Sequence, residues 1–208
     1  LSIVKLAEKY HLPIISDEVF SEFIFDNKKF PQLAGLSKAT PIFTLQGLSK
    51  TYALPGFKLS WILVHGPDQE KHLNQLERYA DALLSSNQIT QSMLPAIIKQ
   101  GEKSIATCKR HVENNRNMAV NLLKQCPSLS FTKPQGGFYL FAKIHNVACD
   151  DEKFVIELMK KTGIFAHPGY FYDYDKGVYI LISLLLPPRK LKCCLQKVIN
   201  LINALTKF

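Results

Sequence analysis

The stretch Gly47-Leu48-Ser49-Lys50-Thr51-Tyr52-Ala53-Leu54-Pro55-Gly56-Phe57-Lys58 decides how this chain is read. It sets a lysine beside a small hydroxyl residue, then a Pro-Gly break, then a second cation eight positions after the first. The apolar run Pro41-Ile42-Phe43-Thr44-Leu45 leads straight into it, as a strand leads into a loop. Upstream, Pro13-Ile14-Ile15-Ser16 reads as a buried parallel strand that ends in the acids Asp17 and Glu18. Downstream, 58–64 reads as a third strand, closed by Gly66-Pro67. Acid, lysine and second cation therefore all stand where strands meet loops, the pattern of an α/β layer.

Working outward, Ile3, Val4, Leu6, Ala7 and Tyr10 recur at helical spacing, and 20–32 is a loop-rich segment. Helices are expected over 69–84 and 89–100, the second interrupted near its middle by Pro95. The segment 101–125 reads as one long polar-faced helix with Ile105, Val112, Met118, Leu122 and Leu123 on its apolar side, suited to bridging two domains. Past Pro127 the texture changes to strands at 129–132 and 137–142, a helix at 151–161, a strand at 179–185 and a helix at 188–205. The expected division is residues 1–100 and 101–208, with no internal repeat and no low-complexity segment.

A chain of 208 residues with 47% apolar content can bury a core in one or two domains. Lys plus Arg outnumber Asp plus Glu, 26 to 17, for a formal charge of +9. The excess is spread along the chain as a solvated basic surface, so no nucleic acid is expected as a partner, while anionic small molecules suit it. Cys108, Cys126, Cys149, Cys193 and Cys194 show neither metal-ligand spacing nor a disulfide framework, so no metal is expected and a reducing compartment is. No signal-peptide pattern and no apolar run of membrane-spanning length is found, which sets the expectation at cytoplasmic, away from membranes. The chain opens inside a helical pattern without a starting Met, and a piece of a longer protein is expected.

The residue types at these positions name a chemistry. A lysine that can form an imine, an acid that can pair with a ring nitrogen and a cation for a phosphate together suit pyridoxal 5'-phosphate. Asp17 closes an apolar strand, where a carboxylate is costly unless paired. A lysine with this task needs a depressed pKa, which a nearby cation and a dry pocket supply.

Four landmarks now stand in order: Asp17-Glu18-Val19, Ser49-Lys50 through Pro55-Gly56, Lys133-Pro134-Gln135-Gly136-Gly137-Phe138-Tyr139, and His167-Pro168-Gly169. On these, and through essentially its whole length, the chain resembles the second half of a fold-type-I, pyridoxal-phosphate-dependent aminotransferase of class I/II, in an atypical subgroup. The resemblance implies an α/β fold: part of the large cofactor-binding α/β/α domain, followed by a smaller C-terminal α/β domain. It makes Lys50 the Schiff-base lysine, which also moves the proton at the substrate α-carbon. Asp17 is implied as the partner of the pyridine nitrogen, with Phe20, Ser49 and Lys58 completing the cofactor set and Tyr139 approaching the substrate. Glu18 is expected to be non-catalytic, and His167 to be structural.

Departures from the family pattern cluster at the same positions. Phe20 stands where Tyr is common, and lacks its hydroxyl. Gly47 replaces a frequent phosphate-binding Ser. Lys58 replaces an Arg, giving a point charge in place of a bidentate fork. Leu181 occupies the place of the Arg that clamps the substrate carboxylate, a contact worth on the order of 1.5–3 kcal/mol. The function implied is transfer of an amino group from an amino acid to a 2-oxo acid, by a homodimer in amino-acid metabolism, with these 208 residues inactive on their own. Two alternatives stay open: a carbon–sulfur β-lyase of the same fold, and a non-catalytic domain that senses cofactor or ligand. The aromatic loop Tyr170, Phe171, Tyr172 and Tyr174 either lines a substrate entrance or packs.

Overall fold

The computed structural model describes residues 2–26, 28–83 and 86–206, so Asn27 of the expected loop and the expected helix end at 84 lie outside the described residues. The chain divides into two compact units, residues 1–109 and 110–208. The division falls inside a long helix, later than the 100/101 boundary expected from sequence.

The first unit runs α1 (Ser2–Tyr10), β1 (Ile14–Asp17), β2 (Ile42–Gly47), α2 (Leu48–Thr51), β3 (Ser60–His65) and α3 (Gln69–Ala82). Its sheet has the order β1-β2-β3. β1 pairs parallel to β2, with Asp17 opposite Leu45, and β2 pairs antiparallel to β3, with Gly47 opposite Ser60. Val4 and Ala7, three apart on α1, join Ile14 and Ile42 in a buried cluster against which Leu33 packs. β1 is not buried on both faces, as its apolar run suggested. Successive strand residues point to opposite faces, so Ile14 enters the cluster while Ile15 is 72% exposed.

α4 (Gln88–Leu123) follows as one helix, and it corrects the expectation of a helix over 89–100 interrupted at Pro95 and a separate helix over 101–125. Pro95 removes one backbone N–H and costs about 3 kcal/mol in a helix interior. In a helix of 36 residues that local loss is outweighed by the bonds on either side. Asn87 caps the start, its Oδ1 accepting from the N–H groups of Ile89 at 2.9 Å and Thr90 at 3.2 Å.

The second unit adds β4 (Leu129–Phe131), β5 (Tyr139–Ile144), α5 (Asp151–Thr162), β6 (His167–Pro168), β7 (Val178–Ser183) and α6 (Pro188–Leu205). The sheet order is β4-β5-β7-β6, antiparallel throughout. Leu140, Ala142 and Ile144 of β5 and Val178, Ile180 and Ile182 of β7 are buried, and α5 packs on β7 and on α6. The alternate residues Tyr139, Phe141, Lys143, Tyr179 and Leu181 share the other face.

Sequence signals set the ends of these helices. Asp150 caps α5 by accepting from the Lys153 N–H at 2.8 Å, and Gly163 closes it in the left-handed region at φ 71°. α6 begins with proline at its first position, where a missing N–H costs nothing. Among the described residues no helix is long and apolar enough to cross a membrane, and no group of three or more His, Cys, Asp or Glu could hold a metal ion.

Candidate active site

Strand direction gathers the chemistry. β1 and β2 run parallel and so end at one edge of the sheet, and the antiparallel β3 begins at that same edge. Asp17 is the last residue of β1, Ser49 and Lys50 sit on α2 directly past β2, and Lys58 stands just before β3. The acid on β1 thus shares with the hydroxyl, amine and second cation of the later 47–58 stretch the edge beyond the carboxyl ends of parallel strands, the usual place for a ligand in such sheets. Thr51, buried on the helix that carries Lys50, donates from Oγ1 to the Val19 carbonyl at 3.4 Å and ties that helix to the loop after Asp17.

Each position has its own local cause. Asp17 is exposed, not buried as the apolar run before it implied, and its Oδ1 accepts from the Val19 N–H at 3.2 Å. Lys50 and Ser49 are half-buried. Gly47 has ordinary extended backbone, so its constraint is space: a Cβ there would lie 3.0 Å from the Ser60 Cβ and 3.1 Å from the Leu59 carbonyl oxygen. A serine at 47 meets that crowding in this chain. Lys58 does not start a strand; it is exposed and left-handed at φ 51°, ending the turn Pro55–Phe57. Phe20 is half-buried and accepts the Phe23 N–H on its carbonyl at 2.9 Å.

Glu18, set aside from sequence as non-catalytic, has a structural task. It is 2% exposed, accepts from the Ser16 hydroxyl at 3.0 Å and from the Leu33 N–H at 3.3 Å, and so braces the strand end that presents Asp17. Tyr52, which sequence reasoning missed, follows the lysine helix; burial raises its phenol pKa first, and the charges of Glu22 and Glu102 add to the rise. Its only sequence signal was its place in the lysine run.

Tyr139 and Leu181 belong to the second unit. Tyr139 is 41% exposed on the outer face of β5, not in the core where an alternating strand most often puts an aromatic. It lines an open groove of about 820 Å³ together with Phe141, Lys143, Tyr174, Tyr179 and the turn 133–136. Leu181 lies on the same face, opposite Phe141 in β5 and His167 in β6. Arg116 is 1% exposed and donates from Nη1 to the Pro134 carbonyl at 3.1 Å, which holds the turn at the groove wall. His167 Nδ1 and the Tyr172 hydroxyl lie 2.7 Å apart, and Tyr174 packs edge-on against Tyr179, ring centres 4.6 Å apart. Phe171 packs edge-on against Tyr170, ring centres 4.9 Å apart, so the loop aromatics contact one another while staying partly exposed.

Comparison with known proteins extends this arrangement to a family. The family model of the class I and II aminotransferases matches residues 1–191. A tyrosine aminotransferase of Caenorhabditis elegans is 28% identical over 180 residues, covering 82% of this chain and 38% of that protein. An S-alkyl-thiohydroximate lyase of Arabidopsis thaliana is 28% identical over 178 residues, covering 80% of this chain and 38% of the relative. The crystal structure of an aminotransferase from Escherichia coli superposes with a TM-score of 0.86 at 25% identity, covering 99% of this chain and 53% of that one. The chain thus spans about half the length, or less, of these relatives. By the extent of the family match and the likeness of its α/β fold, the chain belongs to the class I and II aminotransferases.

Proposed function

We propose that this chain carries the lysine-bearing half of a pyridoxal-phosphate-dependent transaminase, which moves an amino group from an amino acid to a 2-oxo acid. One observation carries the reading: a carboxylate, an amine, a hydroxyl and a second cation are gathered at a single sheet edge. These groups fit a cofactor that combines an aldehyde, a ring nitrogen and a phosphate. Pyridoxal 5'-phosphate, held covalently by Lys50, supplies an electron sink for charge on the substrate α-carbon.

The roles follow from side-chain chemistry. Asp17 holds a proton on the ring nitrogen by pairing with it, and its exposure at the strand end leaves it accessible to that partner. Lys50 Nζ would hold the cofactor aldehyde and would move the proton at the substrate α-carbon. Ser49 and Lys58 hold the phosphate, Lys58 as a point charge without the fork of an arginine. Phe20 offers an apolar wall and no hydroxyl. Tyr139 contributes to the substrate side. The whole protein is a cytoplasmic homodimer, and the isolated 208 residues do not turn over.

A second reading keeps the site and changes the outcome to carbon–sulfur β-elimination. One observation favours it: the likeness to the thiohydroximate lyase. Incubating the whole protein with 2-oxoglutarate and tyrosine, then separately with cystathionine, separates the two. Glutamate formed from 2-oxoglutarate supports amino transfer; pyruvate and a released thiol without glutamate supports elimination; neither product overturns both.

A further inference from the structure

Tyr52 lies two residues past Lys50 and closes the helix that carries it. The closure is local and thin. The Leu48 carbonyl accepts from the N–H groups of Tyr52 at 3.2 Å and Leu54 at 3.1 Å, the Lys50 carbonyl accepts from Ala53 at 3.3 Å, and Ala53 is left-handed at φ 56°. A four-residue helix has almost no stability of its own, so its geometry must be fixed from outside.

Part of that fixing comes from α4. Gly101 sits in the interior of this helix, where glycine weakens the structure relative to alanine, so its presence calls for a local reason. The reason is space. A Cβ at 101 would stand 2.3 Å from Cε1 and 2.4 Å from Cδ1 of the Tyr52 ring, far inside any tolerated contact. The Cδ1–Cε1 edge of the ring abuts the bare helix backbone at 101, beside a groove of about 370 Å³ lined by Leu54, Met93, Ile97 and Gln100.

We propose that Gly101 and Tyr52 are positioning residues for Lys50: the bare backbone at 101 seats the Tyr52 ring, and the seated ring fixes the turn that holds the Lys50 amine at the sheet edge. This rests on the reading of Lys50 as the reactive amine. Neither residue touches the reacting atoms; both act through the turn.

The experiment compares wild type, Gly101→Ala, Tyr52→Leu and the double variant in the 208-residue chain. Amide hydrogen exchange at Tyr52, Ala53 and Leu54 reads the turn, and borohydride trapping of pyridoxal phosphate with peptide mapping reads the share of label on Lys50 against the exposed Lys153. Gly101→Ala is expected to speed exchange in the turn by about tenfold or more and to lower the Lys50 share several-fold, although alanine favours the helix. Tyr52→Leu is expected to do the same, and alanine at 101 in that background to add nothing. Unchanged exchange in Gly101→Ala or in Tyr52→Leu overturns the proposal, and so does an equal added effect of alanine in both backgrounds. A wild-type chain whose label shows no preference for Lys50 overturns the role of Lys50 itself, and the exchange cycle still decides the seat.

Discussion

β5 and β7 of the second unit bury alternate residues, whereas the sheet of the first unit leaves Ile15, Ile62 and Leu63 more than two-fifths exposed. The residues with chemical capacity follow the opposite distribution. Asp17, Lys50 and Lys58 lie along the edge of the less buried sheet, while the well-packed sheet contributes a groove of aromatic side chains and one turn. The difference teaches that core strength and chemistry are separated in this chain. At that edge Asp17 and Lys58 are exposed and Lys50 is half-buried, so the charged groups stay in reach of solvent.

Substitutions can break this contrast. The largest effect is expected for Leu140→Ala, which empties a fully buried site in β5 and costs about 2–5 kcal/mol. Ile15→Ala, in the first unit, is expected to change stability by less than about 0.5 kcal/mol. Urea unfolding of both variants measures the pair, and similar losses for the two would dissolve the distinction.

Two adjacent acids sharpen the same contrast at one strand end. Glu18→Ala strands the Ser16 hydroxyl and the Leu33 N–H and is expected to cost about 1–3 kcal/mol. Asp17→Asn is expected to leave stability near wild type and to weaken cofactor binding, measured by visible-spectrum titration with pyridoxal phosphate. A destabilised Asp17→Asn with normal binding contradicts the assignment of roles.

Lys58 gives a smaller effect with two opposite signs. Its left-handed backbone costs roughly 1–2 kcal/mol in a non-glycine residue, and glycine brings extra unfolded-state freedom worth roughly 0.5–1 kcal/mol. Lys58→Gly is therefore expected to raise stability by less than about 1 kcal/mol while weakening binding of the phosphate group, read by denaturant midpoint and by inorganic phosphate competition.

The smallest effect concerns the cap of α5. The Lys153 N–H, and then the Lys153 side chain, hold the Asp150 carboxyl below its ordinary range. A lowered folded-state value means that the cap stabilises fully above the ordinary Asp pKa of about 3.9 and loses this as pH falls through the folded value. Asp150→Asn should lower the melting temperature slightly at neutral pH, and the gap to wild type should close below about pH 4. A gap that persists in acid would mean that the ionised carboxylate is not the source.

Much of the second unit was legible because its signals are local. The helix expected at 188–205 has its observed bounds in α6, and the strands expected at 137–142 and 179–185 fall on β5 and β7 with ends shifted by one or two residues. The failures trace to residues whose effect depends on neighbours distant in sequence. Pro95 reads as a break, yet its cost is local and α4 continues through it. Ile15 reads as core, but burial depends on what covers its face. Lys58 reads as the start of a strand, while its left-handed backbone belongs to the preceding turn. At the site, the motif order named Asp17, Lys50 and Lys58, but only strand direction brings them to one edge. Glu18 and Gly101 carried no sequence signal, since one is recognised by burial and the other by the ring that lies on it.

The most direct measurement of the central claim is the site of covalent capture. Borohydride reduction of the protein in the presence of pyridoxal phosphate, followed by peptide mapping, is expected to place the label on Lys50 and to lose it in Lys50→Ala. Label on another lysine, or a labelling pattern unchanged by Lys50→Ala, contradicts the account.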